Sequence, residues 1–310
     1  MALTKLAPSI SKRRKGSPLG RAQRQEERTA WLFILPALAA LLLFVFYPMV
    51  KAFFISFQNY NMVGGTRSFN GLDNYRTLMN DSEFLASLRH SLFFAVIVIP
   101  VQTAISLGLA MLIQRARRFT SLFRTAFFIP VVVSTAVAAT VFKLIYNKDF
   151  GILNNVLKTM GLPITNFLSN PDTAMYGIII LGIWKAAGFF MIIFLAGLNN
   201  ISQDLYEAAR VDGANRVQQF FRITLPMLNR TMAFVIIMTT IDAIKLAGPV
   251  FVLTNGGPNG STQSVVYYIW KMAFQQMQMG YGTAAAFILF AIVLIISLVQ
   301  MNYFNKKADY

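Results

Sequence analysis

Six long apolar segments constrain the fold of this 310-residue chain more than any other feature of its sequence. A helix needs about 20 consecutive apolar residues to cross a hydrocarbon core of about 30 Å, and each segment comes close to that length. Charged residues make up 13% of the chain, against about a quarter in soluble domains. The sequence therefore predicts an all-α integral membrane protein, with six transmembrane helices in a membrane domain over residues 31–305. In chain order, spans 1 to 6 are residues 31–50, 91–113, 125–142, 173–198, 231–253 and 281–304.

The distribution of positive charge predicts how these spans are oriented. The net charge is +16, and Lys and Arg concentrate in the first 30 residues, between spans 2 and 3, and between spans 4 and 5. Membrane proteins keep such residues on the cytoplasmic side. We therefore expect both termini in the cytoplasm, with residues 1–30 as a basic, largely disordered tail and residues 306–310 as a short C-terminal end. A nucleic-acid-binding protein would spread this charge over a soluble domain, so no nucleic acid is expected as a partner.

Residue types that build catalytic and metal sites are scarce. The chain has no cysteine and a single histidine, His90, which excludes disulfides and thiolate ligands and disfavours a histidine-built site. The sequence contains no G-x-x-x-x-G-K-[ST] phosphate-binding loop, and no set of nucleophile, base and metal ligands stands out. We expect no catalytic residue, metal or cofactor in this chain, and His90 is interpreted as a residue near the membrane surface. The protein is therefore not predicted to be an enzyme.

A polar stretch at residues 199–226 interrupts the apolar pattern between spans 4 and 5. Ser202 is suited to cap a helix that begins at Gln203, and Asp204 would be favourable near the positive end of that helix. Gly213 is suited to a left-handed C-terminal cap. The charge distribution places this stretch in the cytoplasm.

A second short helix is expected over residues 215–224, with Val217, Phe220 and Phe221 on one side and Pro226 ending it. By periodicity alone, the pair of helices fits three roles. It could be a knob that docks into a groove of another protein, an amphipathic segment at the membrane surface, or a helix–turn–helix for DNA. Attachment of both ends to membrane spans disfavours the DNA-binding role.

The residue identities in this stretch indicate its role more specifically than its periodicity does. Glu207-Ala208-Ala209, followed by Gly213, Ile223 and Leu225-Pro226, resembles the EAA loop of ABC importer permeases. Over about residues 30–305 the chain is similar to the carbohydrate-importer branch, the type of the maltose and glycerol-phosphate permeases. The other segments that carry the resemblance are Gly71-Leu72-Asp73-Asn74-Tyr75, Gly151-Ile152-Leu153-Asn154, Trp184-Lys185 and Leu253-Thr254-Asn255-Gly256-Gly257-Pro258.

The resemblance implies a type I ABC importer permease fold and a subunit of a binding-protein-dependent sugar importer in a bacterial cytoplasmic membrane. It implies a heterodimer with a second, homologous permease, two ATPase subunits that bind ATP and Mg, and an extracytoplasmic solute-binding protein. In that family the EAA loop docks into a cleft of the ATPase. The positions of this chain that would couple to the ATPase are Glu207, Ala208, Ala209, Asp212 and Gly213.

Three ionisable residues fall at membrane depth: Lys185 in span 4, and Asp242 and Lys245 in span 5. A charge at the centre of a membrane helix costs on the order of 2.5–3.5 kcal/mol on insertion scales, so such residues face a partner or a wet cavity. Asp242 and Lys245 are three residues apart, which predicts one helix face and a local ion pair. The following Gly248-Pro249 is expected to kink the helix.

The roles of these charges stay open between packing and transport. Asp242 and Lys245 could fix span 5 against a neighbouring helix or the second permease, or they could line the path of the sugar, for which the resemblance implicates span 5. A third alternative is that their side chains snorkel towards the membrane surface. For Lys185 a structural role is favoured, with a path role as the alternative. Polar candidates for the path outside this set are Gln102, Ser134, Thr135 and Asn255.

One alternative function class remains, a secondary transporter driven by an ion gradient. Such proteins place carboxylates inside the membrane, and Asp242 is the feature in its favour. The EAA-like loop counts against it, because a secondary transporter works without an ATPase into which such a loop would dock.

Overall fold

The computed structural model describes residues 18–115 and 120–308, and their side chains over residues 24–114 and 120–304. By length and composition, five helices in this part of the chain could cross a membrane, or six if one bent helix pair counts as a single span. This agrees with the predicted all-α membrane architecture. The chain divides between Phe54 and Ile55 into two compact units, which are described separately.

The first unit is one long apolar helix that contains span 1. Its parts are α1 (Pro18–Leu41), a π-helical turn (Leu42–Phe46) and α2 (Tyr47–Ser56). The last two residues of α2 are counted with the second unit. The helix begins at Pro18, so the expectation of disorder is wrong for residues 18–30. These residues are rich in Arg, Gln and Glu, which are good helix formers, and extending an existing helix avoids the cost of nucleation. Residues 1–17 of the predicted tail lie outside the described residues.

The second unit begins with a small antiparallel β-hairpin in which Gln58 pairs with Phe69 and Tyr60 with Arg67. The other described elements, as far as Ala308, are helical. The elements are β1 (Gln58–Tyr60), β2 (Arg67–Phe69), α3 (Asp73–Asn80), α4 (Ser82–Arg115), α5 (Thr120–Val132), α6 (Thr135–Ile145), α7 (Ile152–Thr159), α8 (Pro171–Asn199), α9 (Gln203–Val211), α10 (Arg216–Gln219), a π-helical turn (Phe220–Thr224) that follows α10 directly, α11 (Leu225–Met227), α12 (Asn229–Ile244), α13 (Gly248–Leu253), α14 (Val265–Trp270), a π-helical turn (Lys271–Gln275) that follows α14, and α15 (Met279–Ala308).

Span 3 is broken, which corrects the prediction of one continuous helix over residues 125–142. Helices α5 and α6 meet at an angle of 97°. Ser134 sits at the break with φ −54° and ψ 136°, outside helical geometry. Pro130 lies four residues earlier inside α5, and a proline within a helix weakens the hydrogen-bond ladder there. The segment is apolar throughout, so its sequence alone does not indicate the break.

Span 5 is interrupted between α12 and α13, close to the predicted kink. The irregular residues are Lys245 to Ala247, and Ala247 has φ −142° and ψ −58°. Pro249 lies in the first turn of α13, where its missing N–H costs no hydrogen bond. The hydroxyl of Ser264 donates to the Leu246 carbonyl over 2.6 Å, so the break is tied to the start of α14.

Two buried apolar clusters hold the second unit together. One joins the first halves of α4 and α8 to α6, the end of α12, α13, α14 and the start of α15, and it includes Phe94, Ile178 and Tyr268. The other joins the second half of α4 to the end of α8 and the start of α12, and it includes Phe194 and Leu228. The two clusters lie at opposite ends of α4, so this helix is the shared axis of the packing.

Helices α5 and α8 approach each other closely at Gly188. A Cβ atom placed on Gly188 would lie 1.9 Å from the carbonyl oxygen of Phe127, so no other residue fits without moving the backbone. Small residues permit such contacts between membrane helices. This contact holds the first arm of the broken span against α8.

Candidate functional site

Helix α9 is built as its local sequence predicts. The Ser202 hydroxyl accepts a hydrogen bond from the Asp204 backbone N–H over 3.2 Å, which confirms the predicted N-terminal cap. Glu207 and Arg210 form an exposed ion pair at 3.7 Å. Tyr206 points the other way, and its hydroxyl lies 2.9 Å from that of Thr224. One face of α9 is therefore fastened to the π-helical turn, and the opposite face is left exposed.

Gly213 ends this helix in a left-handed conformation, as predicted, with φ +79°. Its N–H donates to the Arg210 carbonyl over 3.1 Å, and the Ala214 N–H donates to the Ala209 carbonyl over 2.8 Å. The second bond spans six residues, the arrangement of a Schellman cap. Nothing lies within 4 Å of a Cβ built on Gly213, so backbone conformation, not crowding, requires glycine here.

The second short helix begins as expected, but it does not end as expected. Asn215 and Gln218 form a capping box, with hydrogen bonds of 2.9 Å and 2.8 Å between their side chains and each other's backbone N–H groups. The helix then widens into the π-helical turn before Pro226 and continues to Met227, so the prediction that Pro226 ends it is wrong. A widened turn leaves room for a proline ring and needs no N–H from it.

The two neighbouring aromatic residues of this helix point in different directions. Phe220 packs against the apolar cluster at the second half of α4, whereas Phe221 is 60% exposed, as are Val217 at 65% and Val211 at 88%. The expectation that Phe220 shares one side with Val217 and Phe221 is therefore wrong. One surface of the α9–α10 unit, here called the coupling surface, is formed by the exposed apolar residues Val211, Val217 and Phe221 and the exposed residues Glu207, Ala208, Asp212 and Gly213.

A cavity of about 450 Å³ lies among α4, α8 and the break between α12 and α13. Its volume is that of a small-molecule site, which ranges over about 300–1,000 Å³. Lys185, Asp242 and Lys245 all line it, so the structure brings together the three charges predicted at membrane depth. Aromatic side chains on the wall are Phe94, Phe189 and Phe190. We call this space the central cavity.

Lys185 closes the open end of α5. Its Nζ donates to the carbonyl of Val133 over 2.6 Å and to those of Val131 and Pro130 over 3.3 Å and 3.4 Å. The last carbonyls of a helix lack partners within that helix, and here they lie at a sharp bend in an apolar segment. The geometry supports a structural role for Lys185, since its ammonium group holds the broken span.

Asp242 and Lys245 are both exposed to the cavity. In the part of the chain that the structure describes, no ion pair within 4.0 Å joins them. The predicted local ion pair is therefore wrong, because α12 ends at Ile244 and Lys245 already leaves helical geometry. The cavity wall thus presents one carboxylate and one ammonium group separately.

Two buried polar atoms on the cavity wall lack a hydrogen-bond partner among the described residues. They are Oε1 of Gln102 and Oγ1 of Thr239. Gln102 is among the polar residues noted from the sequence, whereas Thr239 is missed. Its position three residues before Asp242 places both on one face of α12, which was the available signal. Both atoms lie beneath the cavity surface, since less than 1 Å² of each is exposed.

The remaining sequence candidates are divided between the cavity and other places. Thr135 lines the cavity at the start of α6, and Ser134 precedes it at the break. Asn255 lies elsewhere, in the turn after α13, where it is exposed with φ +49°. His90 approaches the Gln263 carbonyl, with Nδ1 at 3.2 Å. The cavity therefore does not bring Asn255 together with Lys185, Asp242 and Lys245.

This geometry defines a class: a multi-spanning membrane protein with a central cavity lined by three charged residues and an exposed, capped helix pair between two spans. Residues 102–309 match the family described as "Binding-protein-dependent transport system inner membrane component". The match covers more than half of the chain. The chain belongs to this family, and its resemblance to ABC importer permeases is confirmed.

Individual relatives agree with this assignment over most of their length. The chain is 35% identical over 289 residues to the probable ABC transporter permease protein YurN of Bacillus subtilis (strain 168), covering 92% of this chain and 99% of the relative. It is 33% identical over 285 residues to the trehalose/maltose transport system permease protein MalF of Thermococcus litoralis, covering 92% and 96%. These relatives are transport subunits, not enzymes, as the sequence predicts for this chain.

The fold is also similar to a solved structure. That structure is a bacterial alginate ABC transporter in complex with an alginate pentasaccharide-bound periplasmic protein. The match has a TM-score of 0.81 at 23% identity and covers 93% of this chain and 97% of that chain. The chain is therefore a multi-pass inner-membrane permease subunit with the fold of ABC importer permeases.

Proposed function

We propose that this chain forms half of the translocation path of an ATP-driven sugar importer. The observation that carries the proposal is the coupling surface, in which Glu207, Ala208 and the Gly213 turn are exposed on a rigid, doubly capped helix pair. An ATPase that closes on bound ATP and Mg would push this unit. Because Tyr206 and Phe220 attach it to the packed end of α4 and α8, the push would reach the spans around the central cavity.

The arrangement requires the coupling surface and both termini to be cytoplasmic, in agreement with the positive charge between spans 4 and 5. The partners are a second, homologous permease, so that the path lies within a heterodimer, two ATPase subunits and an extracytoplasmic solute-binding protein. The membrane is the bacterial cytoplasmic membrane, and its lipids surround the spans. The solved alginate transporter offers the precedent for the external protein.

A sugar fits the central cavity by its chemistry. Asp242 and Lys245 are exposed to the cavity, where a carboxylate and an ammonium group can bond to sugar hydroxyls. The aromatic walls suit the apolar faces of a sugar ring. Several relatives carry sugar names, among them trehalose/maltose and arabinooligosaccharide permeases. The described relatives are ABC importer permeases, which speaks against the gradient-driven alternative.

Uptake by the reconstituted complex tests this proposal. Vesicles that contain both permeases and the ATPases should accumulate maltose, trehalose or an arabinooligosaccharide only with ATP at the ATPase side and the binding protein outside. Vanadate should stop this uptake, whereas an ionophore should leave it unchanged. Uptake by this chain alone that an ionophore collapses would contradict the proposal and restore the secondary transporter.

A further inference from the structure

A second cavity lies at the opposite end of α4 from the coupling surface. It occupies about 550 Å³ between the β-hairpin, α3, the start of α4 and the start of α15. We infer that this cavity, here called the polar pocket, is a separate binding site for an uncharged, hydroxyl-rich sugar. Asn70, Asp73, Thr77, Asp81 and Glu83 are among its lining residues, and none of them lines the central cavity.

One carboxylate of the pocket, Asp81, is already engaged by the protein. Asp81 accepts hydrogen bonds from the hydroxyls of Tyr268 at 2.5 Å and Tyr281 at 2.9 Å, and from the backbone N–H groups of Glu83 and Phe84 at 2.8 Å and 3.1 Å. Burial alone would raise the pKa of Asp81, but these hydrogen bonds hold it below its usual value. Asp81 is therefore a fixed anchor between α4, α14 and α15 and is not open to a cationic ligand.

The other two carboxylates, Glu83 and Asp73, are also paired with side chains of the protein. Glu83 accepts from the ammonium group of Lys271 and from the Gln263 amide, the latter over 2.9 Å. Asp73 lies 3.7 Å from Arg76. Among the described residues, no cluster of three or more His, Asp or Glu side chains could hold a metal ion. Among the residues whose side chains the structure describes, no Lys, Arg or His lines the pocket, which disfavours an anionic ligand.

Amide groups remain available for hydrogen bonding. Asn70 donates to the Asn74 side chain over 3.1 Å, yet its own Oδ1 is buried without a partner among the described residues. Gln276 and Gln278 are exposed to the pocket on either side of Met277, which has φ +56°. A left-handed conformation is strained for Met, and such strain is concentrated at functional sites. Amides both donate and accept hydrogen bonds, as sugar hydroxyls require.

The position of the pocket suggests what this site does. The pocket and the coupling surface lie at opposite ends of α4. Glu83 at the start of α4 lines the pocket, whereas the side chain of Gln114 near its other end donates to the Leu198 carbonyl, just before α9. This step rests on the proposed function: with the coupling surface inside, the pocket faces outside. A sugar released there by the binding protein would be held near the permease before it enters the central cavity.

Cysteine protection tests this inference, because the chain has no cysteine of its own. Thr77→Cys places one thiol in the polar pocket, and Met79→Cys places one on the same helix outside the lining. Each is reacted with a membrane-impermeant maleimide in the full complex without binding protein, with maltose, trehalose or arabinotriose titrated in. A site with a Kd of about 1 mM slows labelling about tenfold at about 10 mM sugar. One of these sugars should protect Thr77→Cys to this extent and leave Met79→Cys unprotected.

Two further variants separate a real site from indirect effects. Gln276→Ala with Gln278→Ala should remove the protection, whereas Asp242→Asn with Lys245→Met should retain it. No protection by any of the three sugars would overturn the inference, as would protection by calcium chloride alone or by sugar-free binding protein alone. Labelling of Thr77→Cys only from the ATPase side would instead contradict the proposed orientation. Normal ATP-driven uptake without protection would leave the proposed function intact and sink the second site alone.

Discussion

Gly213→Pro should abolish sugar uptake while the chain still inserts into the membrane and assembles. Proline fixes φ near −65°, whereas Gly213 has φ +79°, and proline also removes the N–H that bonds to the Arg210 carbonyl. A misplaced proline costs about 3 kcal/mol or more, which lowers the equilibrium constant for forming the native turn by a factor of about 100. Uptake rate in vesicles should fall by about that factor, and Glu207→Lys should cause a similar loss by reversing a charge on the coupling surface.

Gly161→Pro is a matched control. Gly161 follows α7 with φ +72°, and its N–H donates to the Lys158 carbonyl over 3.1 Å, so the two glycines have the same local geometry. Only Gly213 belongs to the coupling surface. Equal loss of uptake in both variants, or normal coupled transport with Gly213→Pro, would contradict the coupling role.

Asp242→Asn combined with Lys245→Met should change the affinity or rate of uptake by at least about tenfold. Hydrogen bonds to charged groups contribute about 1.5–3 kcal/mol, and about 1.4 kcal/mol corresponds to a factor of ten. Both residues line the central cavity without pairing with each other, so their removal leaves no buried partner behind. The measurement is the KM and maximal rate of uptake in vesicles at matched protein levels. Unchanged values of both would argue against a path role.

Lys185→Met distinguishes a role in the path from a role in the fold. Its Nζ bonds to three carbonyls at the end of α5, so this variant should lower the melting temperature of the purified complex. The double variant of Asp242 and Lys245 should leave the melting temperature nearly unchanged. The opposite pattern would mean that the two sets of charges have been assigned the wrong way round.

The parts of the structure that follow from local chemistry could be predicted from the sequence. The caps at Ser202 and Gly213 depend on hydrogen bonds within a few residues, and the spans depend on runs of apolar side chains. Most of the predicted span boundaries lie within a few residues of the helix ends in the structure. The EAA-like letters pointed to the family for the same reason, since they are contiguous in the chain.

The parts that depend on distant contacts could not be predicted. The bend between α5 and α6 is held by Lys185, more than fifty residues further along the chain. The absence of an Asp242–Lys245 ion pair follows from the early end of α12, which apolar composition does not reveal. The residues that line the polar pocket are spread from 59 to 281 in the chain, so no local sequence pattern predicts it.

Cross-linking from Ala208 tests the central claim, that α9 docks into an ATPase, most directly. Ala208 is exposed on α9, and Ala208→Cys would be the single cysteine of the chain. A short photoreactive cross-linker attached there should join the chain to the ATPase subunit in an active complex, whereas the same reagent on Met79→Cys should not. An active complex in which Ala208→Cys gives no ATPase adduct, or reacts only with reagents added from the binding-protein side, would contradict the account.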